Sequence, residues 1–446
     1  MVDVAAIHER VDAVLPGVLD DLVHLVSIPS ISSQPEHAGD VAAAADTVVG
    51  HLKMLGCDRV KVVQSGGQPA VIAHFDVDPA LPTVCLYAHL DVQPTGDPAL
   101  WTTADPFAAT RKGDRLYGRG TADDKAGVAA HLAVLRAYDG KPPVNVTVLI
   151  EGEEEMGSPT LARILAENRN DLEADLYVIA DCGNWAAGVP AFTTTLRGVV
   201  DCVVEVRTLA HPVHSGQFGG AVPDALTTLC RLLATLHDEQ GDVAVAGLVD
   251  NSALRESYPD ADVRAESGLL DGVQPIGTGP IAARTWTKPA ISVIGLDTTP
   301  IAESSNTLIP AAKARLSLRV APGDTAEHAW QCLKRHLESH IEWGARLSVT
   351  NAERAEPCII ELSDDLAEKA NRAWRSAYGA EPLLIGTGGT IGMIAEFQRA
   401  FPDAGILGTA VADPDSRMHG IDESLYLPDW AASCRAEAVL LAELAQ

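Results

Sequence analysis

Short apolar segments alternate with amphipathic helical patterns along the first 180 residues, and this alternation limits the folds open to the chain. The segment PTVCLYAHL is apolar up to Tyr87, as in a strand buried on both faces of a mixed or parallel sheet. A helical pattern from Lys125 to Tyr138, the strand VNVTVLIEG, a helix near 158–168 and the strand ADLYVIAD follow. This order predicts an α/β fold with a mixed sheet.

The length of 446 residues exceeds what one hydrophobic core usually serves, so we expect two domains. Residues 197–354 have the predicted order βαββαβ, which is typical of a small ferredoxin-like sandwich. An α/β pattern then returns, with a loop PLLIGTGGTIGMI and a final helix at 427–444. The second domain is therefore predicted to be inserted into the first, which would comprise residues 1–196 and 355–446.

The charge and the cysteines restrict partners and compartment. The formal net charge of -28 argues against nucleic acid and anionic membranes, because both need clustered Lys and Arg. The chain has no apolar run of about 20 residues, and its first residues do not resemble a secretion signal. Eight dispersed cysteines without a CxxC pair favour buried thiols over a disulfide frame, and we expect a cytoplasmic protein.

Acidic residues and histidines follow several predicted strands and glycine-rich turns. They occur in YAHLDVQP, GRGTADDKAG, EGEEEMGS, VIADCGN and RMHGIDE, and they are His89, Asp91, Asp123, Glu154, Glu155, Asp181 and His419. Strand ends are where α/β sheets present functional residues. Nitrogen and carboxylate ligands in this number predict a site for two divalent metals, with zinc favoured and manganese or cobalt as competitors.

Each of these signals also has a structural explanation. His89 could be a loop histidine, and Asp123 or Asp124 could cap the following helix. The acids 153–155 could form a solvated loop, and His419 alone would usually be a surface residue. The set as a whole is more specific than any member of it.

In this order, the motifs resemble the M20 metallopeptidase family, and within it the dipeptidase branch that includes carnosinase-like enzymes. The resemblance extends from SIPSIS to the final helix and includes Trp101 with DPF, YGRGTADDKAG, RGVVD and HSGQFGG. It implies a lid domain, here the inserted unit, that mediates homodimerisation. It also implies a cis peptide bond at Asp123–Asp124.

The resemblance further implies a role for each site residue. Asp123 would bridge two metals, with His89 and Asp181 completing one site and Glu155 and His419 the other. Glu154 would be the general base, Asp91 would orient His89, and His214 would stabilise the oxyanion at a neighbouring subunit's site. Arg319 would bind the substrate carboxylate, and Gly389 and Thr390 would line the same pocket.

The expected activity is hydrolysis of dipeptides or small peptides with a free C-terminal carboxylate by a two-metal mechanism. An N-acyl amino acid deacylase of the acetylornithine or succinyl-diaminopimelate type would use the same site, and a non-catalytic binding protein is the alternative of a different class. The substrate pocket departs from the family, because Gly386 and Thr387 stand where an Arg-Glu pair is common and Gly392 stands where a proline is common. The spacing from Pro310 to Arg319 is also one residue shorter than the spacing that is usual in the family.

Overall fold

The chain folds into two units, each of which is made from separate parts of the sequence. The computed structural model describes residues 2–251, 263–264, 267–389 and 392–446. The first unit comprises Met1–Thr194, Ile360–Ile385 and Gly392–Gln446, and the second comprises Thr195–Ile359 and Gly386–Ile391. The second unit thus includes residues 386–391, which lie within the predicted C-terminal part of the first domain.

The described residues form short strands and helices that alternate through much of the chain. The strands are β1 Arg59–Val63, β2 Ala70–Phe75, β3 Thr83–His89, β4 Thr110–Lys112, β5 Arg115–Tyr117, β6 Asn145–Glu151, β7 Leu176–Gly183, β8 Ala191–Leu196, β9 Gly198–Arg207, β10 Val213–His214, β11 Ala290–Asp297, β12 Thr307–Leu308, β13 Ala311–Val320, β14 Arg346–Ala355, β15 Cys358–Ile359, β16 Leu383–Thr387, β17 Gly405–Ala412 and β18 Ser424–Tyr426. The helices are α1 Val4–Val26, α2 Ala38–Met54, α3 Lys125–Ala137, α4 Leu161–Glu167, α5 Arg169–Leu172, α6 Ser215–Phe218, α7 Ala225–Ala234, α8 Ile281–Trp286, α9 Ala326–His340, α10 Asp364–Tyr378, α11 Gly392–Ala400 and α12 Leu427–Leu444.

The first unit contains a mixed sheet in the order β1-β2-β6-β3-β7-β17-β8. Strand β3 runs parallel to both β6 and β7, and β17 runs parallel to β7. The outer pairs β1-β2 and β2-β6 are antiparallel. The predicted α/β fold with a mixed sheet is therefore confirmed, and the four parallel strands bring their carboxyl ends to one edge.

The helices of the first unit bury apolar stripes in one core. In α1 the side chain of Asp3 accepts a hydrogen bond from the backbone N–H of Ala6 and caps the helix, and residues such as Val11, Val18 and Leu22 are fully buried. Helix α1 packs against α3 and α12, and α3 also packs on β3. This packing fixes β3, whose last residue is His89.

The second unit has its own core and its own sheet. Strands β9, β11, β13 and β14 form an antiparallel sheet in the order β11-β13-β9-β14, and α7 and α9 pack on it. Along β13 buried and more exposed residues alternate, as expected of a sheet with one covered face. Strand β11 lies at an edge of this sheet.

The prediction that PLLIGTGGTIGMI forms a loop is wrong in part. Residues Leu383–Thr387 form the strand β16 beside β8, and helix α11 begins at Gly392. Glycines suggested a loop, but backbone pairing with β8 forms the strand and burial of Met393 and Phe397 stabilises the helix. In the part of the chain that is described, no helix combines the length and the apolar character that crossing a bilayer requires.

Candidate metal centre

Three neighbouring parallel strands place acidic and histidine side chains at one edge of the sheet of the first unit. His89 ends β3, Glu154 and Glu155 follow β6, and Asp181 lies near the end of β7. The order β6-β3-β7 makes these strand ends adjacent. Asp123 reaches the same edge from the turn between β5 and α3.

Two overlapping sets of ligand atoms meet there. His89, Asp123 and Asp181 each offer one ligand atom, and these atoms lie within 4.8 Å of one another. Asp123, Glu155 and His419 do the same. We call the first set the inner group and the second the outer group, and Asp123 belongs to both.

The two carboxylate oxygens of Asp123 face the two histidines. Its Oδ1 lies 3.1 Å from His89 Nε2, and its Oδ2 lies 3.0 Å from His419 Nε2. Glu155 Oε2 lies 3.1 Å from the same His419 nitrogen, and Asp181 Oδ1 lies 3.7 Å from His89 Nε2. The predicted ligand residues are thus brought together, with one carboxylate shared.

Asp91 contacts His89 and the loop that follows β6. The Nδ1 atom of His89 lies 3.3 Å from Asp91 Oδ1 and 3.1 Å from the backbone oxygen of Asp91. The Asp91 carboxylate also accepts hydrogen bonds from the backbone N–H groups of Glu154 and Glu155. With Nδ1 engaged, His89 directs Nε2 toward the carboxylates.

The adjacent acids Asp123 and Asp124 have different surroundings. Asp124 accepts hydrogen bonds from the backbone N–H groups of Gly127, at the start of α3, and of His89. It is the capping residue, whereas Asp123 faces the histidines. The Asp123–Asp124 peptide bond is cis, which confirms that expectation.

The three consecutive acids after β6 also separate. Glu153 is buried and accepts hydrogen bonds from the backbone N–H groups of Gln68 and Thr160 and from the Thr160 hydroxyl. It anchors the loop instead of facing the ligand groups. Glu154 and Glu155 are the next two residues, and of these Glu155 belongs to the outer group.

The protonation of the cluster reflects its surplus of carboxylates. Burial raises the pKa of the Asp181 carboxyl to about 6, and burial together with the charge of Asp181 holds the pKa of Glu154 well above its usual range. Hydrogen bonds to Asp123 and Glu155 raise the pKa of His419 to about 10. Burial disfavours the charged form of His89, but the negative charge of Asp181 and the bonds to the carboxylates outweigh it and raise the His89 pKa.

This donor set fits two divalent cations. Each group offers one imidazole nitrogen and two carboxylate oxygens, which is the chemistry of zinc, manganese and cobalt sites. The raised pKa values of the two histidines and of Asp181 favour bound protons among these carboxylates, and a divalent cation would displace such protons. In the described residues these two groups are the ones whose ligand atoms converge in this way.

The remaining predicted site residues belong to the second unit or its boundary loop. His214 ends β10 and is exposed, and its Nδ1 accepts a hydrogen bond from the backbone N–H of Gly216. Arg319 lies in β13 between Val199 of β9 and Ala290 of β11. The Gly389 backbone N–H donates to the Thr387 hydroxyl. Thr390 lies outside the described residues.

Two contacts to the outer group were not predicted from the sequence. Gln93 donates to both carboxylate oxygens of Glu155, from its backbone N–H at 3.1 Å and from Nε2 at 2.8 Å. Glu423 accepts a hydrogen bond from the backbone N–H of Asp123. The DVQP motif contains Gln93, so its proximity to the ligands was a usable signal. Glu423 had no such signal, because it is one of several acids near His419.

Comparison with known proteins agrees with this geometry. The model of peptidase family M20/M25/M40 matches residues 85–443. A cysteinylglycine-S-conjugate dipeptidase of Corynebacterium striatum is 36% identical, with coverage of 92% of this chain and 91% of that protein. A human Beta-Ala-His dipeptidase is 29% identical over 94% of this chain and 89% of its own. The crystal structure of human carnosine dipeptidase 1 has a TM-score of 0.81 at 26% identity and covers 100% of this chain and 99% of its own. The chain therefore belongs to peptidase family M20/M25/M40.

Proposed function

We propose that the chain is a metal-dependent dipeptidase that hydrolyses the amide bond of dipeptides or small peptides with a free C-terminal carboxylate. The observation that carries this proposal is the shared Asp123, whose two oxygens face the inner and the outer histidine at 3.1 and 3.0 Å. The relatives in this family whose names specify dipeptidases support the substrate class.

The inner group, His89, Asp123 and Asp181, would hold one divalent ion, and the outer group, Asp123, Glu155 and His419, the second. Zinc is the ion we favour, with manganese or cobalt as alternatives. Two such ions supply polarisation of the scissile carbonyl and a lower pKa for the attacking water.

Glu154 is the proposed general base. It follows the β6 end and its backbone N–H is held by Asp91, so its position is set by the same carboxylate that engages His89. Its raised pKa falls when positive charge is bound beside it, and it then takes a proton from water as a carboxylate. It returns that proton to the leaving amine. Asp91 keeps the Nε2 lone pair of His89 directed to the inner site.

His214, Arg319, Gly389 and Thr390 are the proposed contacts to the peptide. His214 would donate to the developing oxyanion at a neighbouring subunit's site, and Arg319 would pair with the substrate carboxylate through its planar fork. The structure leaves no room for a side chain at residue 386, where an Arg-Glu pair is common in the family. A Cβ atom at Gly386 would lie 2.4 Å from Thr195 Oγ1 and 2.6 Å from Trp286 Cβ.

We also propose that residues 197–354 form a ferredoxin-like lid through which two copies dimerise. The βαββαβ element order and the strand order β11-β13-β9-β14 support the topology. The side chains of Val293, Ile294 and Leu296 on the edge strand β11 are exposed. A second copy could cover these apolar side chains together with the edge of the sheet. Sedimentation velocity tests this, and a monomer at micromolar concentration would contradict it.

A cytoplasmic location is the proposal for the compartment. None of the eight cysteines forms a disulfide, and seven of them are buried in the described structure. Burial raises the pKa of Cys85 and Cys434 thiols far from the range in which thiolates react. Such thiols suit a reducing compartment.

The first experiment measures divalent metal content after purification together with hydrolysis of a substrate panel, before and after chelation. The panel contains cysteinylglycine, an S-substituted cysteinylglycine, β-alanyl-histidine and N-acetyl amino acids. We expect about two ions per chain and chelator-sensitive cleavage of dipeptides. Cleavage of N-acetyl amino acids alone would replace the proposal with a deacylase, and no hydrolysis with zinc, manganese or cobalt would leave a binding protein.

Substitution of the proposed base gives the matched test. Glu154→Gln should lower kcat by about 10²–10⁴-fold, because proton transfer by a positioned base contributes that factor. Metal content should stay at the wild-type value, since Glu154 is in neither ligand group. Wild-type kcat in the Glu154→Gln protein would contradict the assignment.

A further inference from the structure

Glu423 is a buried carboxylate with hydrogen-bond donors on both oxygens. Its Oε1 accepts from the backbone N–H groups of Ala122 at 2.9 Å and Asp123 at 3.1 Å. Its Oε2 accepts from the backbone N–H of Gly120 at 3.0 Å and from Arg119 Nη1 at 2.6 Å. The side chain is 0% exposed, so water does not compete for these donors.

The position of Glu423 follows from a small sheet. Strand β18 begins at Ser424 and pairs with β5, so Glu423 lies beside the residue that follows β5. The backbone N–H of Gly118 donates to the Glu423 carbonyl oxygen. The turn from residue 118 to Asp123 is thereby wrapped around one carboxylate, and it ends at the residue shared by both ligand groups.

Arg119 connects the same carboxylate to the rest of the outer group. It is 1% exposed, and its Nη2 donates to the carbonyl oxygens of Pro94 and Gly420. Pro94 follows Gln93, which holds Glu155, and Gly420 follows His419. The ion pair therefore contacts the segments that carry Asp123 and His419, and it reaches Glu155 only indirectly, through Pro94 and Gln93.

The loop that carries His419 needs such support. Arg417, His419 and Asp422 all have positive φ angles, of 54°, 62° and 60°. Side chains disfavour this region, so the conformation persists only when surrounding contacts hold it. The His419 side chain is 58% exposed and receives little packing from the core.

We propose that Glu423, with Arg119 as its counter-charge, is a positioning residue that presets the shared Asp123 and the His419 loop for metal binding. This inference rests on the proposed two-metal site. Glu423 belongs to neither ligand group. It acts by fixing where Asp123 stands before an ion arrives, as hydrogen-bond partners of ligands commonly do.

Glu423→Gln is the decisive substitution because no orientation of the amide satisfies the site. Either the NH₂ group faces the N–H groups of Ala122 and Asp123, or it faces Gly120 and Arg119. Both arrangements set donor against donor. We expect affinity for both ions to fall about 10–100-fold, the usual effect of losing a partner of the ligands.

Asp422→Asn is the matched control, one residue away and with the same loss of charge. Asp422 Oδ1 accepts from the backbone N–H and the hydroxyl of Thr102, and an asparagine keeps that oxygen. Metal affinity should stay at the wild-type value in this variant. Glu423→Asp keeps the charge but withdraws the oxygens, and it should show an intermediate loss if Glu423→Gln does not fold.

The measurement is calorimetric titration of Zn²⁺ into the metal-free proteins, with melting of each metal-free protein alongside. Lower affinity in Glu423→Gln or Glu423→Asp, measured well below the melting temperature, supports positioning. Wild-type affinity in a variant that melts earlier would overturn it, because Glu423 would then only stabilise the fold. If the wild-type protein binds no metal, the proposed function itself fails, which is a distinct outcome.

Discussion

The inner and outer groups share Asp123 yet differ in how the fold holds them. His89 is 0% exposed, ends a central strand and has its second ring nitrogen engaged by Asp91. His419 is 58% exposed and belongs to a loop with three left-handed residues. The difference teaches that one half of the centre is built by the sheet, whereas the other depends on loop contacts. We therefore expect the inner site to bind metal more tightly than the outer site.

The largest expected effect comes from substitution of Asp123, the residue that the two groups share. Asp123→Ala should lose both ions and lower kcat/KM by more than about 10³-fold, because metal polarisation contributes several kcal/mol and 1.36 kcal/mol is tenfold in rate. Metal analysis and dipeptide kinetics measure this. Retention of one tightly bound ion would show that the groups do not depend on a shared ligand.

Replacing each histidine separately tests the difference directly. His419→Ala should lose the outer ion and destabilise the metal-free protein less than His89→Ala does, because removing an exposed side chain leaves no cavity, although Asp123 and Glu155 lose a partner. His89→Ala should lose the inner ion and also destabilise the metal-free protein, because it leaves a cavity and orphaned carboxylates. Metal stoichiometry and denaturant unfolding measure both, and equal destabilisation would contradict the comparison.

A smaller effect is expected from the contact that holds Glu155. Gln93→Ala removes the side-chain donor to Glu155 Oε2 and leaves the backbone donor in place. Affinity for the outer ion should fall about 10-fold, at the low end of the effect of ligand partners, while the inner ion binds as before. Calorimetric titration resolves the two steps, and an equal loss at both would show that Gln93 does not act on the outer group alone.

The last effect concerns the stability of the fold alone, through the contacts of His131 beneath β3. His131 Nε2 lies 3.0 Å from the Tyr87 backbone oxygen, and Nδ1 lies 2.8 Å from Glu437. Burial lowers the His131 pKa, but the Glu437 charge and these bonds outweigh it, so the folded pKa lies above the ordinary 6.5. The stabilisation is full below pH 6.5 and is lost as the pH rises through the folded pKa.

Unfolding of the wild type and of His131→Gln measures this contribution in metal-free protein. We expect a difference of about 1.5–3 kcal/mol at pH 6, the range for hydrogen bonds to charged groups, and a smaller difference at alkaline pH. A difference that grows with pH would mean that His131 is neutral in the folded protein.

The candidate ligand residues could be picked out from the sequence because their positions depend on strand ends. His89 and Asp181 end apolar segments, and parallel strands bring such ends to one edge. The bounds of α12 agree with the predicted final helix at 427–444. By contrast, β16 and α11 were missed, since their stability comes from the partner strand β8 and from buried contacts that a glycine-rich sequence does not reveal.

The sequence by itself determined the residue types of the candidate metal centre, the mixed sheet and the resemblance to the family. Only the tertiary structure decided which role each acidic residue has among sequence neighbours of identical chemistry. Asp124 caps a helix while Asp123 faces both histidines, and Glu153 anchors a loop while Glu155 joins the outer group. The physical reason is that a carboxylate's role depends on which donors surround it in space. Residues far apart in the chain, such as Arg119 and Glu423, supply those donors only after folding.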